Sequence, residues 1–235
     1  MKWGENIFWV GHACFYIKTK EGTVFIDPFK ISSSLKEKAD LVIITHAHFD
    51  HFNWQDVERV MDPKIDTKFI LAEECVIRKG ASINLFEAMA SRNVLAVAKP
   101  GFKKKFGDIT IEAVPAYNTD PARLQNHPKS KNWFGYVLTI DGTRIYHAGD
   151  TDFIPEMKSL NDIDIALLPM GGTYTMAVDE AIEAAKAINA KAVVPMHYKM
   201  LLGEKGSLEL EKKLTENLSS AHIMKEVQTP LYSFQ

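Results

Sequence analysis

Short apolar stretches separated by turn residues set the secondary structure of this chain. Residues 6–10, 13–19 and 23–27 each read as a strand, with Lys20-Glu21-Gly22 joining the last two. That spacing predicts a hairpin with glycine where the turn favours positive φ. Residues 40–45 are apolar over too short a length for a helix and predict one buried strand. Residues 31–39 are polar and read as a loop with a helical turn. Asn53 is placed to cap a helix running to about residue 61, with Pro63 as its stop. Further strands are expected at 67–72, 94–98, 109–114, 136–140, 143–147, 163–168, 191–195 and 222–226, with Asp141-Gly142 as a second hairpin turn. Helices are expected at 73–79 and 85–92, broken by Gly80, and at 153–160, 177–189 and 208–218. Strands cluster, then helices interleave, and no linker or low-complexity segment interrupts them. The pattern fits two sheets packed face to face with helices outside, in one domain over residues 1–235.

Composition narrows this picture. The chain has 235 residues, 46% of them hydrophobic and 25% charged, enough to bury a sizeable core. Its net charge of −2 gives no bulk attraction to nucleic acid or anionic membrane. No secretory signal is read in residues 1–17, and no apolar run reaches the ~18–20 residues of a membrane span. Cys14 and Cys75 read as reduced, packed thiols of a cytoplasmic protein. The basic run at 103–105 reads as a solvated hairpin tip rather than a phosphate-recruiting patch. Residues 115–132 form the longest aperiodic stretch, and long loops in compact domains are often functional.

The densest chemistry is Thr45-His46-Ala47-His48-Phe49-Asp50-His51, directly after the strand at 40–45. His46 and His48, two apart in extended backbone, point to one side and can share an ion. Asp50 and His51 follow as the chain turns and can face a neighbouring ion. Imidazole with carboxylate is the ligand set of catalytic zinc, and also suits iron, nickel or manganese. Other ligand-type residues lie at further strand ends: His12 after Gly11, Asp27 before Pro28, Tyr117-Asn118, Asp150 and His197. Asp27 is placed to accept from a ligand histidine, or to serve simple turn chemistry. His12 reads equally as a turn histidine, Asp150 also as a helix cap, and His197 also as a packed strand-end histidine. His147, three residues before Asp150, reads as a ligand or as a buried strand histidine.

The run from His46 to His51 resembles the H-x-H-x-D-H signature of the metallo-β-lactamase superfamily. The order of Asp27, that run, Asp150 and His197 is similar to the superfamily pattern over nearly the whole chain. The resemblance implies an α/β (α+β) fold, the αββα four-layer sandwich. It implies two zinc ions, with His46 and His48 holding the first, Asp50, His51 and His197 the second, and Asp150 bridging. A metal-bound hydroxide would then be the nucleophile, oriented by Asp50. The superfamily usually places a third histidine of the first site where this chain has Asn118. Asn118 is a poor zinc ligand, which leaves His127 or His12 to fill the gap, or else a single tight ion. Trp9-Val10-Gly11-His12-Ala13, Tyr146-His147-Ala148-Gly149-Asp150-Thr151 and Pro195-Met196-His197-Tyr198 look most like the branch of ascorbate-6-phosphate lactonase and N-acyl-phosphatidylethanolamine phospholipase D. That branch places the histidine of its Gly-His motif near the metals, which favours His12 in the catalytic site.

The expected activity is hydrolysis of a small-molecule lactone, ester or phosphodiester. Arg123, Lys129 and the 103–105 run weakly favour phosphate. A non-catalytic metal-binding or interaction protein on the same scaffold is the alternative, motivated by the missing histidine. A di-iron redox centre is a third, less favoured for want of extra carboxylates. A homo-oligomer is left open.

Overall fold

The computed structural model describes residues 3–62, 64–77 and 93–228. The expected helix at 85–92, the break at Gly80 and the stop at Pro63 lie outside these residues. A short helix α1 (Trp3–Asn6) precedes the first sheet. That sheet holds β1 (Ile7–Gly11), β2 (Cys14–Thr19), β3 (Gly22–Ile26), β4 (Leu41–Ile43), β5 (Lys68–Ala72) and β6 (Val94–Ala98), hydrogen-bonded in chain order. Strands β1 to β3 are antiparallel, and β3 to β6 pair in parallel. The second sheet runs in order β12 (Ala192–Met196), β11 (Ile165–Pro169), β10 (Thr143–His147), β9 (Phe134–Ile140), β8 (Ile109–Pro115) and β7 (Lys103–Phe106).

Period-two alternation sorts the first sheet into two faces. Trp9, Phe15, Ile17, Val24, Ile26, Leu41 and Ile43 join the core between the sheets. The residues between them, including Val10, Tyr16, Phe25, Val42 and Ile44, form a separate cluster. That cluster packs on Val57 and Val60 of α2 (Trp54–Val60). Asn53 caps this helix, its side chain accepting from Gln55 and Asp56 N–H. Helix α3 (Glu73–Ile77) follows β5. Helix α4 (Val178–Ile188) buries Ala181, Ile182, Ala184, Ala185 and Ile188, the alanines permitting close approach to the second sheet. Helix α5 (Lys199–Asn217) is the last helix of the described residues. The result is the mixed α/β, two-sheet sandwich expected from the sequence.

Four expectations need correction. The basic run at 103–105 is an edge strand, paired with β8, whose exposed lysines keep that edge from further pairing. The short helix expected at 153–160 narrows to a 3-10 helix, Pro155–Ser159, starting at a proline. The last strand, expected at 222–226, is reduced to isolated bridges, Trp9 with Glu226 and Val193 with Ala221. Helix α5 begins nine residues before the amphipathic stretch at 208–218, because Gly203, at φ 66°, lets two helical segments join across a kink.

Candidate metal centre

The strand directions bring the chemistry together. Strands β1, β3, β4, β8, β10 and β12 all run toward one edge of the sandwich, so the residues just past their ends share one neighbourhood. Hydrogen bonds fasten the two sheets there. His197 N–H donates to His12 O at 3.0 Å, and His147 Nε2 donates to Ala13 O at 2.8 Å. Sharp reversals turn the side chains inward: His12, Asp27 and His197 have φ of 53°, 48° and 57°, an uncommon conformation for non-glycine residues.

Two side-chain groups result, each able to hold a metal ion. One contains His46, His48, His127 and Asp150; the other contains His12, Asp50, His51 and His197. Within each, the candidate ligand atoms lie within 4.8 Å of one another. Asp150 touches both. Its Oδ2 is 3.2 Å from His127 Nε2 and 3.2 Å from His197 Nε2, and its Oδ1 is 3.3 Å from His51 Nε2. Asp50 Oδ2 accepts from His12 Nε2 at 3.0 Å and lies 3.5 Å from His197 Nε2. His46 Nε2 and His48 Nδ1 sit 3.0 Å apart.

The supporting contacts fix which nitrogen each histidine presents. Asp27 is fully buried and accepts from Thr45 N–H, Thr45 Oγ1–H and His51 Nδ1–H at 2.8, 2.7 and 2.7 Å. His51 therefore turns Nε2 toward Asp150. His127 Nδ1 lies 2.9 Å from Asn118 Oδ1, which also accepts from His127 N–H at 3.1 Å, so His127 likewise presents Nε2. Trp133 lies beneath the first group, its ring 4.9 and 4.8 Å from those of His46 and His48.

These contacts correct two possible ligands. Asn118 is not aimed at the centre: its Nδ2 donates to Asp152 Oδ1 at 2.9 Å and to Tyr174 O at 3.0 Å, and its oxygen serves His127. His147 has both ring nitrogens engaged, Nε2 with Ala13 O and Nδ1 accepting from Gly149 N–H at 3.2 Å. The third histidine of the first group is His127, from the 115–132 loop, while His12 joins the second group. Sequence reasoning gave no role to Thr45, Trp133 or Asp152. Asp152 accepts from Thr119 and Asp120 N–H and pairs with Arg123 at 3.0 Å, so it anchors the loop that carries His127. Its only signal was its place next to Thr151 in an acidic turn. Arg123 and Lys129, considered for phosphate, are tied to Asp152 with Glu180 and to Glu156 with Tyr117 respectively.

Charge in the site is strongly coupled. Burial opposes ionisation of Asp150, but His197 and His51 hold its carboxyl well below the carboxylate range. Burial likewise opposes ionisation of Asp50, and hydrogen bonds from His12 and His197 overcome it. Burial depresses His197 and His51, yet Asp150 raises both, His197 to about 9. Burial and neighbouring His197 push His12 down to about 4.

The donor set fits metal. His51 Nε2, His127 Nε2, His197 Nε2 and Asp150 Oδ1 are buried without a hydrogen-bond partner, though the three nitrogens meet around the Asp150 carboxylate. Native interiors rarely leave such atoms unpaired, and an ion is one accepted explanation. Outside the clusters, the described residues contain no helix long and apolar enough to cross a membrane.

Relatives support the same chemistry. A sequence profile described as the Beta-lactamase superfamily domain matches residues 6–197. The chain is 32% identical over 228 residues to a UPF0173 metal-dependent hydrolase of Methanoculleus marisnigri, covering 93% of this chain and 92% of that one. Among solved structures it is similar to a Parabacteroides distasonis protein of proposed metal-dependent hydrolase class, 35% identical, with TM-score 0.75 over 94% of this chain and 93% of the other. It is also similar to Igni18, a metallo hydrolase of Ignicoccus hospitalis, 26% identical, with TM-score 0.71 over 98% and 99% of the two chains. With this fold and two His/Asp clusters able to bind metal, the chain belongs to the metallo-β-lactamase superfamily, among its UPF0173 metal-dependent hydrolases.

Proposed function

We propose that this chain hydrolyses a small-molecule substrate at a two-metal centre, with zinc as the resident ion and manganese, nickel or iron as alternatives. The observation that carries the reading is the meeting of His51, His127 and His197 Nε2 around Asp150, each buried and unpartnered. His46, His48 and His127 would hold one ion, and Asp50, His51 and His197 the other, with Asp150 between. Two ions bound there supply an activated water and positive charge opposite the oxygen that gains charge in the transition state. Asp50 orients the attacking water through the oxygen that His12 leaves free. His12 Nε2 holds the other oxygen at 3.0 Å and so fixes the carboxylate toward the cavity. Asp27 and Asn118 fix the tautomers of His51 and His127.

The bond cleaved is a lactone, ester or phosphodiester bond. The Gly-His, Ala-Gly-Asp-Thr and Pro-Met-His-Tyr motifs support a place beside the ascorbate-6-phosphate lactonase and N-acyl-phosphatidylethanolamine phospholipase D branch. Cys14 and Cys75, both buried and neither in a disulfide, support a reducing, cytoplasmic setting. The non-catalytic alternative rested on a first site short of one histidine, and His127 supplies one.

The test is elemental analysis of wild type and Asp150→Ala after loading with each candidate metal, alongside turnover of ester, lactone and phosphodiester panels. Two equivalents falling to one or fewer in the variant, with turnover in wild type, is the expected result. Wild-type protein that retains no metal under any loading condition overturns the reading.

A further inference from the structure

We propose that the substrate is an uncharged carboxylic ester or lactone carrying an apolar arm. This rests on the hydrolase reading above and deepens it. A cavity of about 450 Å³ opens on both histidine groups, within the range of small-molecule sites. Beyond His48, Asp50, His127, Asp150 and His197, its wall is Phe49, Tyr174, Met200 and Leu201, with the amides of Gln125 and Asn126. Phe49 and Tyr174 are 64% and 44% exposed, large rings at the cavity wall that the core does not use. Leu201 is brought over the site by a close approach at Gly171, where a Cβ would stand 2.5 Å from Leu201 Cδ1.

No lysine or arginine lines this cavity among the described residues. Three neighbouring cations are held by polar or acidic side chains away from it. Arg123 lies between Asp152 and Glu180, Lys129 is held by Tyr117 and Glu156, and Lys131 pairs with Glu74 at 2.8 Å. Lys30 Nζ rests 3.3 Å from Met200 Sδ and 5.5 Å from the Phe29 ring centroid, outside the cavity wall. The lining itself thus offers no fixed lysine or arginine charge away from the metal end. A phosphate or carboxylate on the rest of the substrate would be desolvated beside Asp50 and Asp150 with no counter-charge. Arginine or lysine clamps are one way of holding a transferring phosphoryl group, and none lines this cavity among the described residues. An apolar arm instead gains by leaving water against the rings and Leu201. In the reaction, the oxygen of water bonds to the carbonyl carbon and the acyl C–O bond breaks. One proton of that water goes to the departing alkoxide and the other to solvent, leaving a carboxylate and an alcohol.

The experiment measures kcat/KM of the metal-loaded full chain on p-nitrophenyl esters from acetyl to octanoyl. Matched esters ending in a carboxylate, alkyl-substituted lactones and bis(p-nitrophenyl) phosphate are run beside them. The expected result is a rise of roughly tenfold or more along the acyl series, the scale of discrimination by apolar pockets. Each neutral ester should also exceed its carboxylate-ended match and the phosphodiester. Met200→Lys, which brings a cation into the wall, should narrow or invert the neutral-over-anionic preference without changing metal content. Preference for the phosphodiester or the charged esters overturns the substrate class and leaves the hydrolase reading standing. No turnover of any substrate at full metal occupancy overturns both. If Met200→Lys folds and binds metal but leaves the preference unmoved, the cavity is not the arm's site.

Discussion

Asn118 occupies the position where the superfamily usually supplies a ligand, and replacing it separates two roles by the sign of the effect. In the structure it is an adaptor. Its oxygen accepts from His127 N–H and Nδ1–H at 3.1 and 2.9 Å, and its amide donates to Asp152 and Tyr174 O at 2.9 and 3.0 Å. An amide side chain accepts through its oxygen while its nitrogen donates two hydrogen bonds, here to a carboxylate and a carbonyl. Asn118→Ala leaves His127 N–H and Nδ1–H and the Tyr174 carbonyl without this partner. An unsatisfied buried group costs about 1–3 kcal/mol, so with partial relaxation the variant should lose roughly 2–4 kcal/mol of stability. Loss of a contact that orients a ligand typically costs about 10–100-fold in metal affinity. Asn118→Asp is the discriminating variant. It keeps an acceptor for His127 but places a second carboxylate against Asp152, where two charges ~4 Å apart repel by about 4 kcal/mol at an effective dielectric of 20. If Asn118 were itself a ligand, a carboxylate there would tighten the metal. If it positions His127, Asn118→Asp should bind the first ion more weakly than wild type near neutral pH. Chelator competition on wild type, both variants, His127→Ala and the Asn118→Ala/His127→Ala double variant is the assay. The adaptor role predicts strong non-additivity in the double variant. Tighter binding by Asn118→Asp, or wild-type affinity in Asn118→Ala, refutes it.

Further outcomes follow from other contacts. A Cβ at Gly135 would stand 2.4 Å from Ala148 O and 2.5 Å from His147 O, backbone that cannot move without shifting the turn carrying Asp150. Gly135→Ala should therefore cost about 1–3 kcal/mol in denaturant unfolding and weaken metal binding; an unchanged midpoint and affinity would contradict this. Asp27→Asn keeps size and tolerates the left-handed backbone but removes the charge that holds His51, so metal affinity should fall about tenfold or more by chelator competition. In metal-free protein, His197 is raised to about 9 and His51 is also raised, so their stabilisation is complete below the ordinary histidine value near 6.5 and is lost as pH rises through the folded-state value. His12, pushed down to about 4, contributes in the opposite sense, and that stabilisation is lost as pH falls from about 6.5 toward 4. Thermal unfolding with chelator should thus peak near pH ~6.5, and a flat profile from pH ~6 to ~9 would refute the coupling.

The sandwich was legible because period-two alternation writes both faces of β1 to β5 into the sequence, and Asp-Gly and Glu-Gly turns mark the hairpins. The candidate ligands from His46 to His51, Asp150 and His197 were legible because each follows a strand that can be read from its apolar run. His127 was not fixed by the same logic. It follows no strand; it reaches the first group only because Asn118 N–H donates to His127 O and the loop folds back on itself. Such a contact depends on the backbone path of an aperiodic segment, which residue types do not encode locally. His147 shows the converse. It sits at a strand end like the ligands, yet both its nitrogens are taken by backbone of the opposite sheet and the following turn. Strand-end position alone does not separate a ligand from a histidine that joins two sheets.

Each histidine group draws on both sheets, and this ties metal binding to the stability of the sandwich edge. His46 and His48 follow β4 of the first sheet, whereas His127 and Asp150 belong to the second-sheet half. In the other group, His12, Asp50 and His51 come from the first half and His197 follows β12. A bound ion therefore joins the two halves at one edge, as the hydrogen bond between His197 N and His12 O does without it. The opposite edge, where Lys20 approaches Asp108 and Asp141, carries exposed ion pairs. Such pairs contribute little. Metal at about a thousand times its dissociation constant stabilises a fold by about 4 kcal/mol, so chelation should lower the unfolding temperature by several degrees. Hydrogen exchange should locate the loss. Amides at residues 44–51, 147–152 and 196–198 should exchange faster after chelation, while those of the hairpins at residues 19–22 and 140–143 should change little. Uniform loosening would mean the metal stabilises the fold globally, and no change at the ligand edge would mean that the two halves do not share the ions.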